Sequence, residues 1–287
     1  MTELLQLLIN GILAGTQLAV PAIGFTAIYA VLRFPNFAVA SHATIGAYGG
    51  FIANVWVGLP APAALLVAFI TGGLSGMLAD EIFLRRLRSA GPMPVAIGSV
   101  ALTIVLENVI RFGFGNDLRG YDLPVLRDWR FWGLRVGPQQ VENAIAASLA
   151  MAALFTFLAF TRTGKMMRAV ADNPMLAALK GINADIVARL AVFTGMGLAG
   201  FGGMLIGLDT SIDPLTGFRV MLSVFAAAVV GGLGSIPGAV LGAFVIGIGE
   251  EVALLVLDPT YRTAVGFVAI LLVLSFRPRG LLGERAY

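Results

Sequence analysis

The chain has 287 residues, of which 58% are hydrophobic and 12% are charged, and its formal net charge is +3. Because a soluble domain usually carries about 25% charged residues, most of this chain must face lipid or other buried helices, which excludes a soluble domain. The absence of cysteine excludes disulfides, thiolate metal sites and cysteine nucleophiles, and the single histidine argues against a histidine-rich metal site.

Nine hydrophobic segments follow one another along the chain, judged against the roughly 20 apolar residues that a membrane-spanning helix needs. The seventh is too short to span if straight, so we expect a half-helix there. The sequence therefore predicts an all-α integral membrane protein with about 8–9 transmembrane or partly re-entrant helices in a single domain, 1–287. The segments are Leu4–Val31, Val39–Val57, Ala61–Ala79, Pro94–Phe112, Val141–Phe160, Ile186–Leu208, Val220–Val230, Ile236–Leu257 and Ala264–Phe276.

Basic residues indicate the orientation of the chain. Three clusters follow the third, fifth and ninth segments, so they share one side, which the positive-inside rule assigns to the cytoplasm. The N-terminus is then outside and the C-terminus cytoplasmic, and residues 113–140 form an external loop. The basic residues are scattered at loop ends rather than along a stripe, so no nucleic-acid partner is expected. The clusters are Arg85, Arg86 and Arg88; Arg162, Lys165, Arg168 and Lys180; and Arg277, Arg279 and Arg285.

A polar stretch opens the second segment, beside a break in the helical pattern at Asn36-Phe37. Ser41, His42 and Thr44 lie close to this break. Broken helices leave free N–H and C=O groups that can hold polar solutes, so the stretch is a candidate lining of a solute path. A lone histidine is more often a satisfied structural group, and both interpretations stay open.

Acidic residues occur inside two other segments, where charge is unfavourable and so is a candidate for function. In the fourth segment, Glu107 precedes Arg111 by four residues, which favours an ion pair on one helix face, next to Asn108. In the eighth, one of Glu250 and Glu251 is expected to face a partner or to cap backbone groups, with a role in lining a path as the alternative.

The external loop contains Val125–Val136, which has no helical period and predicts a short hairpin. It is either a docking surface for an external partner or a structural lid over the helix ends.

The stretch 161–183 is too polar to span a membrane and too regular for a linker. Asn173 and Pro174 predict a helix start, and Gly181 stands where a C-terminal glycine belongs. Leu176, Ala177 and Leu179 supply apolar contacts to the short helix between them. Such a helix either lies among lipid headgroups or inserts into a groove of a soluble partner.

The glycine-rich run Gly231–Gly238 has neither a lysine nor an adjacent soluble strand. These absences favour a tight re-entrant connection, with Pro237 opening the next helix, over a phosphate-binding loop.

Four blocks carry a resemblance that covers nearly the whole chain in order. They are Asn36-Phe37-Ala38 with Gly46-Ala47-Tyr48; Leu106-Glu107-Asn108; Gly164, Arg168-Ala169, Asn173, Ala177 and Gly181-Ile182; and Gly231–Ala239 with Glu250. Together they resemble the branched-chain amino acid ABC permeases of the LivH type. Two positions differ from that family: Val39-Ala40 replaces a His-Gly pair, and Met175 stands where an acid is frequent.

The resemblance implies the permease subunit of an importer in the cell's inner membrane, carrying a branched-chain or related amino acid. It implies a homologous second permease, two cytoplasmic ATPases and a periplasmic solute-binding protein as partners. ATP would be used by those partners, and the chain itself needs no cofactor: Met166 follows Gly164-Lys165 where a Walker A motif requires Ser or Thr.

Two groups of candidate residues result from the motifs and the resemblance together. Those for the solute path are Asn36, Ser41, His42, Thr44, Tyr48, Glu107, Asn108 and Glu250. Those for coupling to an ATPase are Gly164, Arg168, Asp172, Asn173, Ala177, Gly181 and Ile182.

Two other functional classes compete with this interpretation. An ion-gradient-driven transporter or channel would share the helices but would not need the short helix at residues 174–180. An intramembrane serine protease would have to use Ser41 and His42, which as helix neighbours point about 100° apart, a poor geometry for catalysis.

Overall fold

The computed structural model describes residues 2–124, 127–131, 133–258, 261–262 and 264–283. Val125, Leu126, Trp132 and Arg285, which entered the sequence predictions, lie outside the described residues.

The predicted helical fold is confirmed, with a helix at each of the hydrophobic segments. α2 continues as a π-helical turn, Ile52–Trp56, and α3 continues as another, Asp80–Leu84. The helices are α1 Thr2–Leu32, α2 Val39–Phe51, α3 Ala61–Ala79, α4 Arg85–Leu87, α5 Pro92–Phe114, α6 Pro138–Phe160, α7 Arg162–Asp172, α8 Pro174–Leu179, α9 Ala184–Asp209, α10 Thr216–Gly231, α11 Ile236–Ala253 and α12 Ala264–Phe276.

Within the described residues, six helices are long and apolar enough to cross a membrane, and two shorter apolar helices accompany them. The six are Thr2–Leu32, Ala61–Ala90, Pro92–Phe114, Pro138–Phe160, Ala184–Asp209 and Ile236–Ala253, and the shorter pair are Thr216–Gly231 and Ala264–Phe276.

The predicted hairpin is present in the part that the structure describes. β1 (Trp129–Phe131) pairs antiparallel with β2 (Leu134–Val136). The Arg135 main chain exchanges hydrogen bonds with the Gln6 side chain, at 2.7 and 2.8 Å. These bonds attach the hairpin to the start of α1.

Contacts between loops define two ends of the helix bundle. At the hairpin end, Arg119 and Ile212 pair their main chains at 2.8 and 2.9 Å, and the Asp122 N–H donates to Asn54 Oδ1 at 2.8 Å. The other end carries Arg85, Arg86 and Arg88 and is called the arginine-rich end. There, Arg85 pairs with Asp185 at 2.7 Å, and the Leu282 N–H donates to the Gly231 carbonyl at 2.8 Å. Successive connections therefore alternate between these two ends.

The helix α2 lies at the centre of the bundle, packed against α3, α5, α9 and α10. Its approach to α9 is close because glycines remove side chains from the contact. A Cβ built on Gly203 would lie only 2.1 Å from the Ala43 carbonyl oxygen, and one built on Gly46 would lie 2.2 Å from the Cα of Gly200. The centre of the fold therefore depends on the absence of these two side chains.

Two non-helical segments enter the bundle from opposite ends. Residues 33–38 enter from the arginine-rich end: the Phe37 N–H donates to Ser99 Oγ at 3.0 Å, and Thr103 Oγ1 donates to the Phe37 carbonyl at 3.2 Å. Ser99 and Thr103 lie seven and eleven residues after the start of α5, which is about 10 and 16 Å along it. Residues 210–215 enter from the hairpin end and lead into α10.

The start of α10 lies near the middle of the bundle. Its Gly217 N–H donates to Thr44 Oγ1 at 2.9 Å. Thr44 is twelve residues before Trp56 at the hairpin end, about 18 Å along α2. Gly217 is fourteen residues before Gly231 at the arginine-rich end, about 21 Å along α10. The predicted half-helix is thus α10, longer than Val220–Val230 and beginning deep inside the bundle.

We expect Gly203→Ala to lower the free energy of unfolding by about 1–3 kcal/mol, because the new methyl group must displace the α2 main chain. The measurement is thermal unfolding of the purified protein in detergent. Gly113→Ala is the matched control: it lies in α5 with no atom within 4 Å of its added Cβ. Equal stability of the two variants would contradict the tight α2–α9 contact.

Candidate translocation site and coupling loop

A small, mainly apolar pocket lies between the non-helical segment 33–38 and the helices α1, α2 and α10. Its walls include Phe25, Phe37, Val39, Met221, Val224 and Phe225, and Asn36 adds a polar group. Asn36 Oδ1 accepts the Ala38 N–H at 3.1 Å, whereas its Nδ2 is buried and has no hydrogen-bond partner among the described residues. The pocket thus offers one free donor in apolar surroundings.

The three polar residues at the start of α2 are all buried but have different contacts. Ser41 Oγ donates to the Ala38 carbonyl at 2.9 Å, and Thr44 Oγ1 accepts from Gly217 as described above. Thr44 therefore satisfies one of the free N–H groups at the start of α10. This contact gives Thr44 a structural role that its sequence position did not indicate.

The histidine pairs with α3 rather than with its neighbour Ser41. His42 Nδ1 lies 2.9 Å from Ser75 Oγ. Because the Ser75 hydroxyl donates to the Gly72 carbonyl at 3.0 Å, it must accept from His42, which places the ring proton on Nδ1. His42 Nε2 is then a buried acceptor without a partner in the described chain. This arrangement gives no support to a Ser41–His42 catalytic pair.

Tyr48 lies further along α2, inside an aromatic cluster at the hairpin end. Its ring centroid is 4.5 Å from that of Phe114, and Tyr121 donates its hydroxyl to the Ala47 carbonyl at 2.9 Å. The Tyr48 hydroxyl is buried and has no partner among the described residues. Tyr48 and His42 therefore lie at different depths.

The predicted Glu107–Arg111 ion pair does not form. Glu107 Oε1 and Arg111 Nε are both buried and have no hydrogen-bond partner in the described residues. The four-residue spacing permits contact but does not require it, and Glu107 turns into the bundle, with 7% of its surface exposed. Asn108 faces outward and donates to the Ile104 carbonyl at 2.7 Å, so the two neighbours do not form one polar site.

Among the described residues, neither Glu250 nor Glu251 caps a backbone group, whereas the expected contact of one of them with a partner stays a prediction. Both contact Arg262: Glu250 Oε2 lies 3.4 Å from its Nε, and Glu251 Oε1 lies 2.6 Å from its Nη2. Glu250 also accepts from Ser223 Oγ of α10 at 2.5 Å. Arg262 follows α11 in the chain and folds back over it, so one positive charge lies beside the two carboxylates and offsets part of their negative charge.

The charged pairs that sequence reasoning missed include Asp213 and Arg219, which flank the start of α10. The seventh hydrophobic segment is predicted to begin at Val220, so neither residue falls within a predicted helix. Asp213-Pro214 followed by Thr216 was the available signal, because an acidic residue, a proline and a hydroxyl residue together are typical of a helix start.

In the stretch 161–183, the predicted caps are confirmed. Asn173 Oδ1 accepts the Leu176 N–H at 3.0 Å, α8 begins at Pro174, and Gly181 has a φ of 80°, which favours glycine. The Ile182 N–H donates to the Ala177 carbonyl at 3.0 Å and closes the turn. The loop is therefore an ordered pair of helices, α7 and α8.

One face of this pair packs on the bundle and the other is exposed. Gly164 touches α6, where an added Cβ would lie 2.4 Å from the Phe157 carbonyl oxygen, and Ala177 is buried. Leu176 and Leu179 do not make the predicted contacts within the described residues, since they are 59% and 76% exposed. The remaining predicted residues, Arg168 and Asp172, are exposed on α7, and Arg168 donates to the Ala159 carbonyl at 3.4 Å.

Hydrogen bonds attach α7 and the start of α9 to neighbouring helices. Arg33 donates to the Ala171 carbonyl of α7. At the start of α9, Arg189 donates to both oxygens of Glu81 at 3.0 Å. Arg33 itself has a φ of 58°, a conformation that is uncommon for residues other than glycine. A force on α7 would therefore act directly on the first residue of the 33–38 segment.

We expect the His42–Ser75 hydrogen bond to contribute about 1 kcal/mol to the stability of the bundle. The measurement is a double-mutant cycle with His42→Leu, Ser75→Ala and the double variant, followed by thermal unfolding. Additivity of the two single effects within about 0.5 kcal/mol would mean that the two side chains are not coupled.

Comparison with known proteins provides the family. Residues 7–275 match the family model described as the branched-chain amino acid transport system permease component. The chain is 31% identical to the high-affinity branched-chain amino acid transport system permease protein LivH of Escherichia coli K12, with 98% of this chain and 96% of LivH covered. BraD of Pseudomonas aeruginosa matches with the same identity and coverage, and a probable LivH of Methanocaldococcus jannaschii is 27% identical over 97% of this chain and 92% of its own length. The chain therefore belongs to the branched-chain amino acid transport permease family of ABC transporters.

Proposed function

We propose that this chain forms one half of a path through the inner membrane for a branched-chain amino acid delivered by a periplasmic binding protein. The observation that carries the proposal is the similarity to LivH and BraD over 98% of the chain, since both are named as high-affinity branched-chain amino acid permeases. ATP hydrolysis belongs to a separate subunit of the transporter. A homologous second permease would supply the other half of the path.

Charge at the two ends of the bundle supports the orientation. The arginine-rich end carries Arg85, Arg86 and Arg88 together with the basic residues of the loop 161–183. By the positive-inside rule this end faces the cytoplasm, and the hairpin end faces the binding protein. The contacts that group the loops into two ends agree with the sequence prediction that the basic clusters after the third, fifth and ninth hydrophobic segments share one side.

The pair α7 and α8 would bind the ATPase. The exposed side chains of Leu176 and Leu179 leave an apolar surface on a capped helix at the end assigned to the cytoplasm. A helix of this kind is recognised when its apolar face enters a groove on a partner. Gly164 and Arg33 fix the other face of the pair to the bundle, so a push on α8 reaches α1 and α6.

The solute path would pass the broken segments near the middle of the bundle. Asn36, Ser41, His42 and Thr44 lie on one side of this region. Glu250 lies beside α10 through its bond to Ser223. Tyr48 and Glu107 would line the part of the path nearer the hairpin end, whereas Asn108 faces away from it.

We expect Leu176→Asp and Leu179→Asp to reduce co-purification of the ATPases and leucine uptake into proteoliposomes of the assembled transporter. An aspartate in an apolar groove leaves a buried charge unpaired, which weakens binding by about 1–3 kcal/mol. Leu282→Asp is the control, because it is an exposed apolar residue at the same end, outside the coupling loop.

Uptake by the unaltered complex must require ATP and the ATPases. Leucine uptake that persists without them, driven by an ion gradient, would favour a secondary transporter instead. Full uptake and ATPase binding by both aspartate variants would contradict the role of α8.

We expect Asp172→Cys to react with a membrane-impermeant maleimide only from the cytoplasmic side, and Asn116→Cys only from the external side. Both positions are exposed, and the chain has no other cysteine to confuse the result. The measurement is labelling of intact cells compared with inverted membrane vesicles. Labelling of Asp172→Cys from outside would reverse the orientation and remove the proposed coupling role.

A further inference from the structure

A charged pair lies near the middle of the bundle on an outward face. Arg219 pairs with Asp213, and their side chains are 59% and 13% exposed. The bond between Gly217 and Thr44 places this part of α10 about 18 Å from Trp56, well inside the thickness of a bilayer core of about 30 Å. An arginine at this depth almost always faces a protein interior or a water-filled cavity rather than lipid.

Asp213 positions Arg219 and is itself held by three donors of the chain. Its Oδ1 accepts the Leu215 N–H at 3.1 Å and the Thr216 hydroxyl at 3.0 Å, and its Oδ2 accepts from Arg219 Nη2. The carboxylate therefore holds the first turn of α10 and orients the guanidinium at the same time.

Arg219 keeps most of its hydrogen-bonding capacity. A guanidinium has five N–H donors in a planar fork, and within the described residues Asp213 is its only partner. Donors left without partners in hydrocarbon are strongly unfavourable, so the free ones must meet water or a polar ligand. A carboxylate fits this fork because its two oxygens accept two parallel N–H bonds.

Polar groups continue along the same face of α10. Ser223 lies four residues after Arg219, one turn further along, and donates to Glu250. Glu250 also lies 3.4 Å from Arg262, so its contacts are made within the chain. Arg219 is therefore the residue of this polar stripe that remains open to the outside of the chain.

We propose that Arg219 binds the carboxylate of the solute as it passes between this chain and the second permease, with Asp213 as its positioning residue. The solute class is then amino acids with a free α-carboxylate, and the permease rejects amides and amines that lack it. This inference rests on the proposed transport function.

The test uses Phe218→Cys, next to Arg219 and 57% exposed, as a reporter in the complex with its partner subunits in proteoliposomes. L-leucine should slow the reaction of this cysteine with an impermeant maleimide, whereas leucinamide and isoamylamine at the same concentration should not. Adding Arg219→Gln should raise the leucine concentration needed for protection by at least about tenfold, the loss expected for a charge-assisted hydrogen bond. Arg219→Lys should raise this leucine concentration by a smaller factor, because lysine retains the positive charge but lacks the planar fork of N–H donors.

Arg86→Gln, combined with the same reporter, is the control for loss of one positive charge at an exposed site at the arginine-rich end, away from Arg219. It should leave protection by leucine unchanged. The proposal is overturned if the reporter is not labelled, if leucine gives no protection, if leucinamide protects equally, or if protection survives Arg219→Gln. ATP-driven leucine uptake by the unaltered complex is measured alongside, so failure of the transport function is distinguished from failure of the carboxylate site.

Discussion

The structure depends on a constraint imposed by hydrocarbon, which offers no hydrogen bonds to backbone groups that a broken helix leaves free. Residues 33–38 and 210–215 both break the helical pattern inside the bundle, and side chains of neighbouring helices satisfy backbone groups of the first segment and of the helix start that follows the second. Ser99 and Thr103 bond to the main chain of Phe37, and Thr44 accepts the Gly217 N–H. The broken segments can exist at this depth only because hydroxyl residues stand opposite them.

The same constraint explains why glycine is so frequent in the centre of the fold. A hydroxyl on α2 reaches α10 only if the two helices approach closely, and a Cβ on Gly217 would lie 1.8 Å from the Ala40 carbonyl oxygen. Between α2 and α9, Gly46, Gly200 and Gly203 permit a similar approach. Close packing and satisfaction of the broken backbone are therefore one requirement, and the chain meets it with small residues beside hydroxyl residues.

Much of the fold could be predicted from the sequence because hydrophobic length and helix caps are local signals. The nine segments, the hairpin and the caps at Asn173 and Gly181 all depend on residues within a few positions of one another. The contacts of the polar residues could not be predicted in the same way. Arg262, which contacts both Glu250 and Glu251, lies in a connection whose path is fixed by packing, and the depth of Arg219 follows from a bond between residues 173 positions apart. Whether a given charge pairs, caps or stays free is decided by such long-range contacts.

A single residue, Arg33, connects the loop 161–183 to the non-helical segment 33–38. Arg33 ends the helical part of α1, begins the segment that carries Asn36, and donates to the Ala171 carbonyl of α7. Its φ of 58° is unfavourable for an arginine, so the surrounding contacts must hold it there. A displacement of α7 that lengthened this hydrogen bond would let the backbone of Arg33 move toward a helical conformation. The chain would then change direction at Arg33, three residues before Asn36. A displacement passed along this route needs no rigid rod across the membrane, because the loop 161–183 and the mainly apolar pocket beside Asn36 are joined through Arg33 and a few residues of main chain.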